Sequence, residues 1–336
     1  MTQAELARRT GRPIQAINEI IKGEKALTPA TALQLEKALD VPAHIWTGLE
    51  SRFQLVKAKD EEKKLVQKEL PYLRNTPYKQ LAEMGYVKRT RNGEHKIGEL
   101  HRFYGVSSLV NLPQTWACAP HFRRSAKWDA SSYSLAAWLR CAELRAIDVP
   151  AKAFDKAGLR GALDEMKALT KRSPGDFLPE LEKRLAACGV VLVLLPHFPK
   201  TYAHGATFWL NADKAVLVLS IRGKWADVFW FSLFHEIGHL MLHKKMTFVD
   251  DGRRPPEHEH LEVEADEFAA KFLIPADKLR EFVGRGDFSL AAVRAFSEEL
   301  GIAAGIVVGR LQHDGAIGYE SDKNRLRERY EWSERA

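Results

Sequence analysis

Cysteine is scarce in this 336-residue sequence: Cys118, Cys141 and Cys188 are the only three, far apart and in no CxxC pair. An odd, scattered set excludes a disulfide framework and a cysteine-built zinc site, and it predicts a reducing, cytosolic compartment. Long apolar runs are missing as well. The opening stretch MTQAELARRTGRP lacks the apolar core of a signal peptide, and no run approaches the roughly 20 residues of a membrane span, so neither secretion nor membrane insertion is expected. No internal repeat of solenoid period and no low-complexity tract is found. What is there is the composition of a globular protein, 45% hydrophobic and 28% charged. A chain of this length exceeds what one core organises, which predicts two or three domains. The excess of cations, net +7, suits a polyanionic partner.

Residues 2–23, TQAELARRTGRPIQAINEIIKG, hold two short amphipathic helical patterns separated by a turn at Gly11, Arg12 and Pro13. Leu6, Ala7, Ile14, Ile17 and Ile21 are expected to share one small core, with Ala7 small enough to let the helices cross closely. That spacing is a helix-turn-helix. A third helix follows, with Thr28 as N-cap, Pro29 at its first position, and Ala32, Leu35, Ala38 and Leu39 turned inward. On ELARRTG and INEIIKGEKALTPATALQLEKALDVPAHIW the stretch resembles the XRE-type DNA-binding domain of HigA-like antitoxins. The resemblance implies that Gln15, Ala16 and Asn18 lie on the exposed face of a recognition helix against the base edges of double-stranded DNA, while Arg12, Lys22 and Lys25 neutralise phosphates. It also implies a homodimer on a two-fold operator, and a toxin as partner. In that family a helix precedes this point. Here Met1 falls where the second helix begins, so the first is expected upstream, from elsewhere in the chain, or from a partner.

From Phe53 to about Leu73 the sequence turns charged, and FQLVKAKDEEKKLVQKEL predicts a solvated connecting helix. Lys88, Arg89, Arg91 and Lys96 form a basic cluster that suits either further phosphate contacts or an exposed loop. SSYSLAAWLRCAELRAI and DFLPELEKRLAACG are amphipathic helical patterns, the second ended by Gly189. Three apolar runs rich in β-branched and aromatic residues, VVLVLLPHF, ATFWLN and AVLVLSIRG, then predict strands of one sheet.

ADVFWFSLFHEIGHLMLH returns to helical spacing. In a helix His235 and His239 lie one turn apart on one face, where two imidazoles can hold one zinc ion, and Glu236 projects about 100° round toward the place of a bound water. Such a site needs a third protein ligand. The candidates are His243 and the acidic helix EHLEVEADEFAAKFLIP; the third-histidine position of a metzincin holds Lys245, which favours a glutamate. Leu261, Ala265, Phe268 and Phe272 are expected to form that helix's buried stripe, with Glu262 and Glu264 on opposite flanks. Asp266, one turn beyond Glu262, is placed to accept the remaining N–H of a ligating histidine, which favours Glu262 and leaves Glu264 as the alternative. Arg222 and Asp227, just before the helix, are expected to pair.

FWFSLFHEIGHLMLH, EVEADEFAAKFLIP and GIAAGIVVGRLQHDGAIGY together resemble the ImmA/IrrE family of zinc metallo-endopeptidases over roughly the last half of the chain. The resemblance implies a Zn2+ cofactor with His235, His239 and Glu262 as ligands, Glu236 as catalytic base, and a protein substrate. Tyr202 and His204 are then the candidates for supporting the oxyanion, and the strand over residues 206–210 for receiving an extended substrate by strand addition. The expected fold class is mainly α with a small β-sheet: an N-terminal helix-turn-helix over residues 1–54, a helical connecting region over 55–169, a C-terminal α+β zincin-like peptidase domain over 170–320, and a tail over 321–336. The function that follows is a zinc endopeptidase fused to a DNA-binding regulator, cleaving a repressor-like protein or itself. The alternative is a non-catalytic HigA-like antitoxin or transcription factor whose metal domain senses a signal or binds a toxin.

Overall fold

The computed structural model describes residues 1–112, 130–221, 223–250 and 258–332. They fall into two compact units, Met1–Leu70 and Pro71–Ala336.

The first unit is helical throughout. Helix α1 (Gln3–Thr10) starts where the Thr2 hydroxyl accepts from the Glu5 amide, and it stops at Gly11, whose φ of +66° suits a residue without a Cβ. Pro13 sets the entry to α2 (Ile14–Ile21), and α3 (Pro29–Leu39) is capped by the Thr28 hydroxyl on the Thr31 amide, as the sequence predicts. The core is small: Ala7, Ala16, Ile17, Ala32 and Leu35. Ile14 and Ile21, expected inside, stay 49% and 57% exposed. The buried face of α2 is centred between Ala16 and Ile17, which puts Ile14 and Ile21 about 100° round the helix from it. Helix α4 (Ala43–Glu69) runs unbroken for 27 residues, so the segment expected to close the helix-turn-helix and the charged connecting stretch are one element.

The second unit opens with α5 (Tyr78–Glu83), α6 (Gly93–Tyr104) and α7 (Ala130–Ile147), then α8 (Lys156–Ala168) and α9 (Pro174–Ala187). Its sheet has the order β1-β3-β2-β4. β1 (Val190–Leu194) pairs parallel with β3 (Lys214–Leu219), while β2 (Gly205–Asn211) runs antiparallel to both β3 and β4 (Phe248–Asp250). Three of these strands are foreseen by the sequence. The fourth, only three residues long, is too short to show a period. Because Gly205, Ala206 and Thr207 are paired on both sides, an extended peptide cannot add to β2 there as expected; β4 occupies that edge.

Helix α10 (Ala226–Leu242) crosses the sheet and is buried along nearly its whole length, with Trp230 and Phe234 fully enclosed. Helices α11 (Glu259–Leu273), α12 (Ala276–Gly284), α13 (Leu290–Leu300) and α14 (Ala304–His313) complete the unit. The start of α10 is held by the C-terminal segment. Arg327 grips the Asp227 carboxylate at 3.0 and 2.8 Å, and the Trp230 indole donates to the Tyr330 hydroxyl at 3.0 Å. Local spacing pairs Asp227 with Arg222, which lies outside the described residues; the partner observed is Arg327, one hundred positions away and invisible to local spacing.

Candidate metal centre

The packing of α10 on α11 creates the site. Gly238 makes the approach close: a Cβ there would come within 3.2 Å of the Ala265 Cα and of the Phe268 ring. The buried stripe of α11 is Glu262, Ala265, Ala269 and Leu273, so Glu262 is part of the stripe and not beside it; Leu261, Phe268 and Phe272 are only half-buried. The reason is the small residue at Gly238, which draws Ala265, rather than the larger apolar side chains, to the line of contact. Glu262 is thereby carried under α10.

There it meets two histidines. His235 Nε2 and His239 Nε2 stand 3.0 Å apart, and Glu262 Oε2 lies 3.3 Å from the first and 3.5 Å from the second. All three side chains are buried and offer donor atoms within 4.8 Å of one another. Among the described residues this is the one such cluster. Behind His235, Nδ1 lies 2.9 Å from Asp266 Oδ1; a carboxylate only accepts, so Nδ1 carries the hydrogen and Nε2 faces the centre. Two imidazole nitrogens at 3.0 Å require a proton or a cation between them. Two nitrogens and one carboxylate oxygen, with a carboxylate behind one ring, are a donor set that fits zinc.

The charges agree with that geometry. Burial opposes charge on His235, but hydrogen bonds to Asp266 and Glu262 outweigh it and raise its pKa to about 10. Burial alone would raise Glu262, yet the two histidines beside it, His235 first and then His239, hold it at about 2. His239 is lowered, by burial first and then by charge on its histidine neighbours against the pull of Glu262. These contacts favour a cation at the centre; without a metal ion, a proton on His235 would supply it.

Glu236 is fully enclosed, and neither of its carboxylate oxygens has a hydrogen-bond partner. Burial pushes its pKa well above the usual carboxylate value against the pull of His235. It lies against β2, where a Cβ on Gly205 would reach within 2.5 Å of its Oε1. The Thr207 hydroxyl is near enough to favour the charged form but misses hydrogen-bond geometry, its oxygen being equally unpartnered. A buried, unpartnered carboxylate costs stability, and such costs persist where a group awaits a ligand or a reaction.

The other candidate residues lie elsewhere. Glu264, the alternative ligand, is 54% exposed and turned to His243, whose Nε2 is 3.1 Å from its Oε2. Tyr202 is exposed, with φ of +53°, in the turn before β2. His204 immediately precedes Gly205, and its amide donates to the Asp250 carbonyl at 2.8 Å, which ties the entry of β2 to β4. Sequence reasoning did not single out Gly205, Thr207 or Phe248. The His239 ring stacks on Phe248 at 4.0 Å.

In the first unit, Gln15, Lys22 and Lys25 are exposed, with Gln15 donating to Glu19 at 2.9 Å and Lys25 3.6 Å from the same carboxylate. Ala16 is not on the exposed face as expected: it is 8% exposed, because the buried side of α2 passes between it and Ile17. Asn18 is half-buried with its Oδ1 enclosed and unpartnered, and Arg12 donates to the Gln34 side chain at 2.5 Å. Lys88, Arg89 and Arg91 lie in the turn between α5 and α6 and Lys96 within α6, its ammonium 5.3 Å from the Tyr78 ring centre.

Among the described residues no helix is long and apolar enough to cross a membrane. Residues 190–312 match the peptidase-family model described as the IrrE N-terminal-like domain, and residues 1–46 match the model described as helix-turn-helix. No curated protein sequence matches the chain. The first match covers the sheet, the paired histidines, Glu262 and α14, and the second covers α1 to α3. The chain therefore joins the XRE-type helix-turn-helix of a DNA-binding regulator to an IrrE/ImmA-like domain of a metallopeptidase family.

Proposed function

We propose that this protein is a zinc-dependent endopeptidase of the cytosol that hydrolyses a peptide bond in a repressor-like protein, or in itself, and so changes transcription at the DNA its helix-turn-helix holds. The observation that carries the reading is the convergence of His235, His239 and Glu262 beside a buried, unpartnered Glu236. His235, His239 and Glu262 would hold the zinc, with Asp266 fixing the His235 ring. When bound, the ion supplies a Lewis acid that lowers the pKa of water and polarises a peptide carbonyl.

The chain's own residues do the rest. Glu236, whose raised pKa suits proton uptake, takes the proton of the attacking water and passes it to the leaving amine. Gly205 gives that carboxylate its room, and enclosure by α10 and β2 keeps bulk water from competing for it. Tyr202 and His204, in the segment that leads into Gly205, are the proposed donors to the developing oxyanion. In the first unit Gln15 and Asn18 would meet base edges and Lys22 a phosphate.

Elemental analysis of the purified full chain tests the assignment. About one zinc per chain is expected, with strong loss in His239→Ala and Glu262→Ala. Loss in Glu264→Ala with normal content in Glu262→Ala would overturn the choice of ligand.

A further inference from the structure

The proposed ligand His239 has its own support on the side away from the centre, and that support uses neither Asp266 nor a main-chain carbonyl. Its Nδ1 lies 3.0 Å from His243 Nδ1, and His243 Nε2 lies 3.1 Å from Glu264 Oε2. The direction of both hydrogen bonds follows from one end. Glu264 is a carboxylate and only accepts, so His243 Nε2 carries the hydrogen. With its hydrogen on Nε2, the His243 ring turns a bare Nδ1 to His239, and that nitrogen accepts. His239 Nδ1 therefore donates, and His239 Nε2 is left bare toward His235 and Glu262.

Packing holds the relay in place. The His243 side chain is 3% exposed, and it ends α10 with its amide still donating to the His239 carbonyl at 3.1 Å. The Phe248 ring stacks on His239 and lies 5.2 Å from His243, so neither imidazole turns freely. Only Glu264 reaches solvent.

Resting on the zinc reading above, we infer that His243 and Glu264 are positioning residues that fix His239 in its Nδ1–H tautomer and aim its Nε2 at the metal. They mirror what Asp266 does for His235, with a histidine interposed between the ligand imidazole and the carboxylate. The helical pattern HExxHxxxH thus contains two roles: the first two histidines face the centre, and the third stands behind the second.

The test is zinc affinity of the full-length chain, by competition with a chromophoric chelator, in His243→Phe, His243→Asn and Glu264→Ala. His243→Phe keeps a flat ring against Phe248 but accepts nothing, and a loss of about 10- to 100-fold in affinity is expected. His243→Asn offers an amide oxygen near the place of Nδ1 and should recover most of that loss, which a purely space-filling role would not produce. Glu264→Ala should fall between wild type and His243→Phe. Wild-type affinity in His243→Phe would overturn the inference, as would equal losses in the Phe and Asn variants. A second readout separates it from the zinc reading. In the metal-free chain, 15N-detected NMR should show His239 as the Nδ1–H tautomer in wild type and a mixture in His243→Phe. If wild type binds no zinc but this tautomer difference is seen, the relay stands and the metal reading falls. If the tautomer is the same in both, the relay falls.

Discussion

In the first unit the residues proposed to meet DNA stand at the surface of a thin core, with Gln15 and Lys22 in solvent and Ile14 and Ile21 about half exposed. In the second, His235, Glu236, His239 and Glu262 are all at 5% exposure or less, within a core that also encloses Trp230, Phe234 and Ile237. One region offers side chains to a partner that must arrive. The other has withdrawn its polar groups from water, setting His235, His239 and Glu262 against one another and leaving Glu236 without a hydrogen-bond partner. Burial makes electrostatic interactions strong and unpaired groups costly, so single changes in the second unit should have large, local effects. Surface charges in the first should act weakly, and through salt.

The contrast breaks most readily at the clamp on α10. Asp227 and Arg327 are at most 10% exposed and bonded through two nitrogens. Asp227→Ala leaves a buried guanidinium with, among the described residues, the Gln312 side-chain oxygen and the face of Trp225 as company. A loss of about 3–5 kcal/mol in unfolding free energy is expected from denaturant titration of the full chain. A loss below about 1 kcal/mol would mean that the second unit tolerates broken pairs as a surface does.

A pH series sharpens it next. His235 holds its proton up to about 10, above the ordinary 6.5, so in the metal-free fold it adds stability that is present below 6.5 and lost as pH rises through 10. Zinc must displace that proton. Its apparent Kd should therefore fall by about tenfold per pH unit between about pH 7 and 9, as chelator competition would show. A flat profile would mean that the centre carries no proton, and that the Asp266 and Glu262 hydrogen bonds do not set the charge of His235.

The smallest effects belong to the first unit. Gln15→Ala should relax discrimination between operator sequences by about 1–3 kcal/mol, while Lys22→Ala should weaken all duplexes alike and reduce the salt slope by about one. Fluorescence anisotropy at several salt concentrations separates the two. An unchanged salt slope in Lys22→Ala would remove that residue from the DNA face.

The same contrast explains what was legible in the sequence. The spacing of His235, Glu236 and His239 and the position of Asp266 one turn after Glu262 are helical facts, and helices carry them intact into three dimensions. Thr28 and Pro29 announced the start of α3 for the same reason. Sequence could not weigh Ala16 against Asn18 on α2, because which side of a short helix is buried depends on what crosses it. It misplaced the buried stripe of α11 because the close contact is made by Gly238, a residue with no side chain to count as apolar. Asp227 with Arg327, and β4 beside β2, are long-range pairings with no local period.

The central claim is that the second unit cleaves peptide bonds, and Glu236→Gln tests it most directly. Glu236 lies beside the three donor atoms and is not one of them, so its replacement should spare both zinc content and folding. The amide keeps the size of the carboxylate but cannot accept a proton, so cleavage should fall by at least about a hundredfold. Proteomic comparison of cells carrying wild type and Glu236→Gln reads this without knowing the substrate: a protein shortened in the wild type should persist whole in the variant, and transcription should change with it. If the two cell populations show the same proteins, uncut, and the same transcription, the second unit is not a peptidase there, and the zinc would serve a sensor or toxin-binding domain instead.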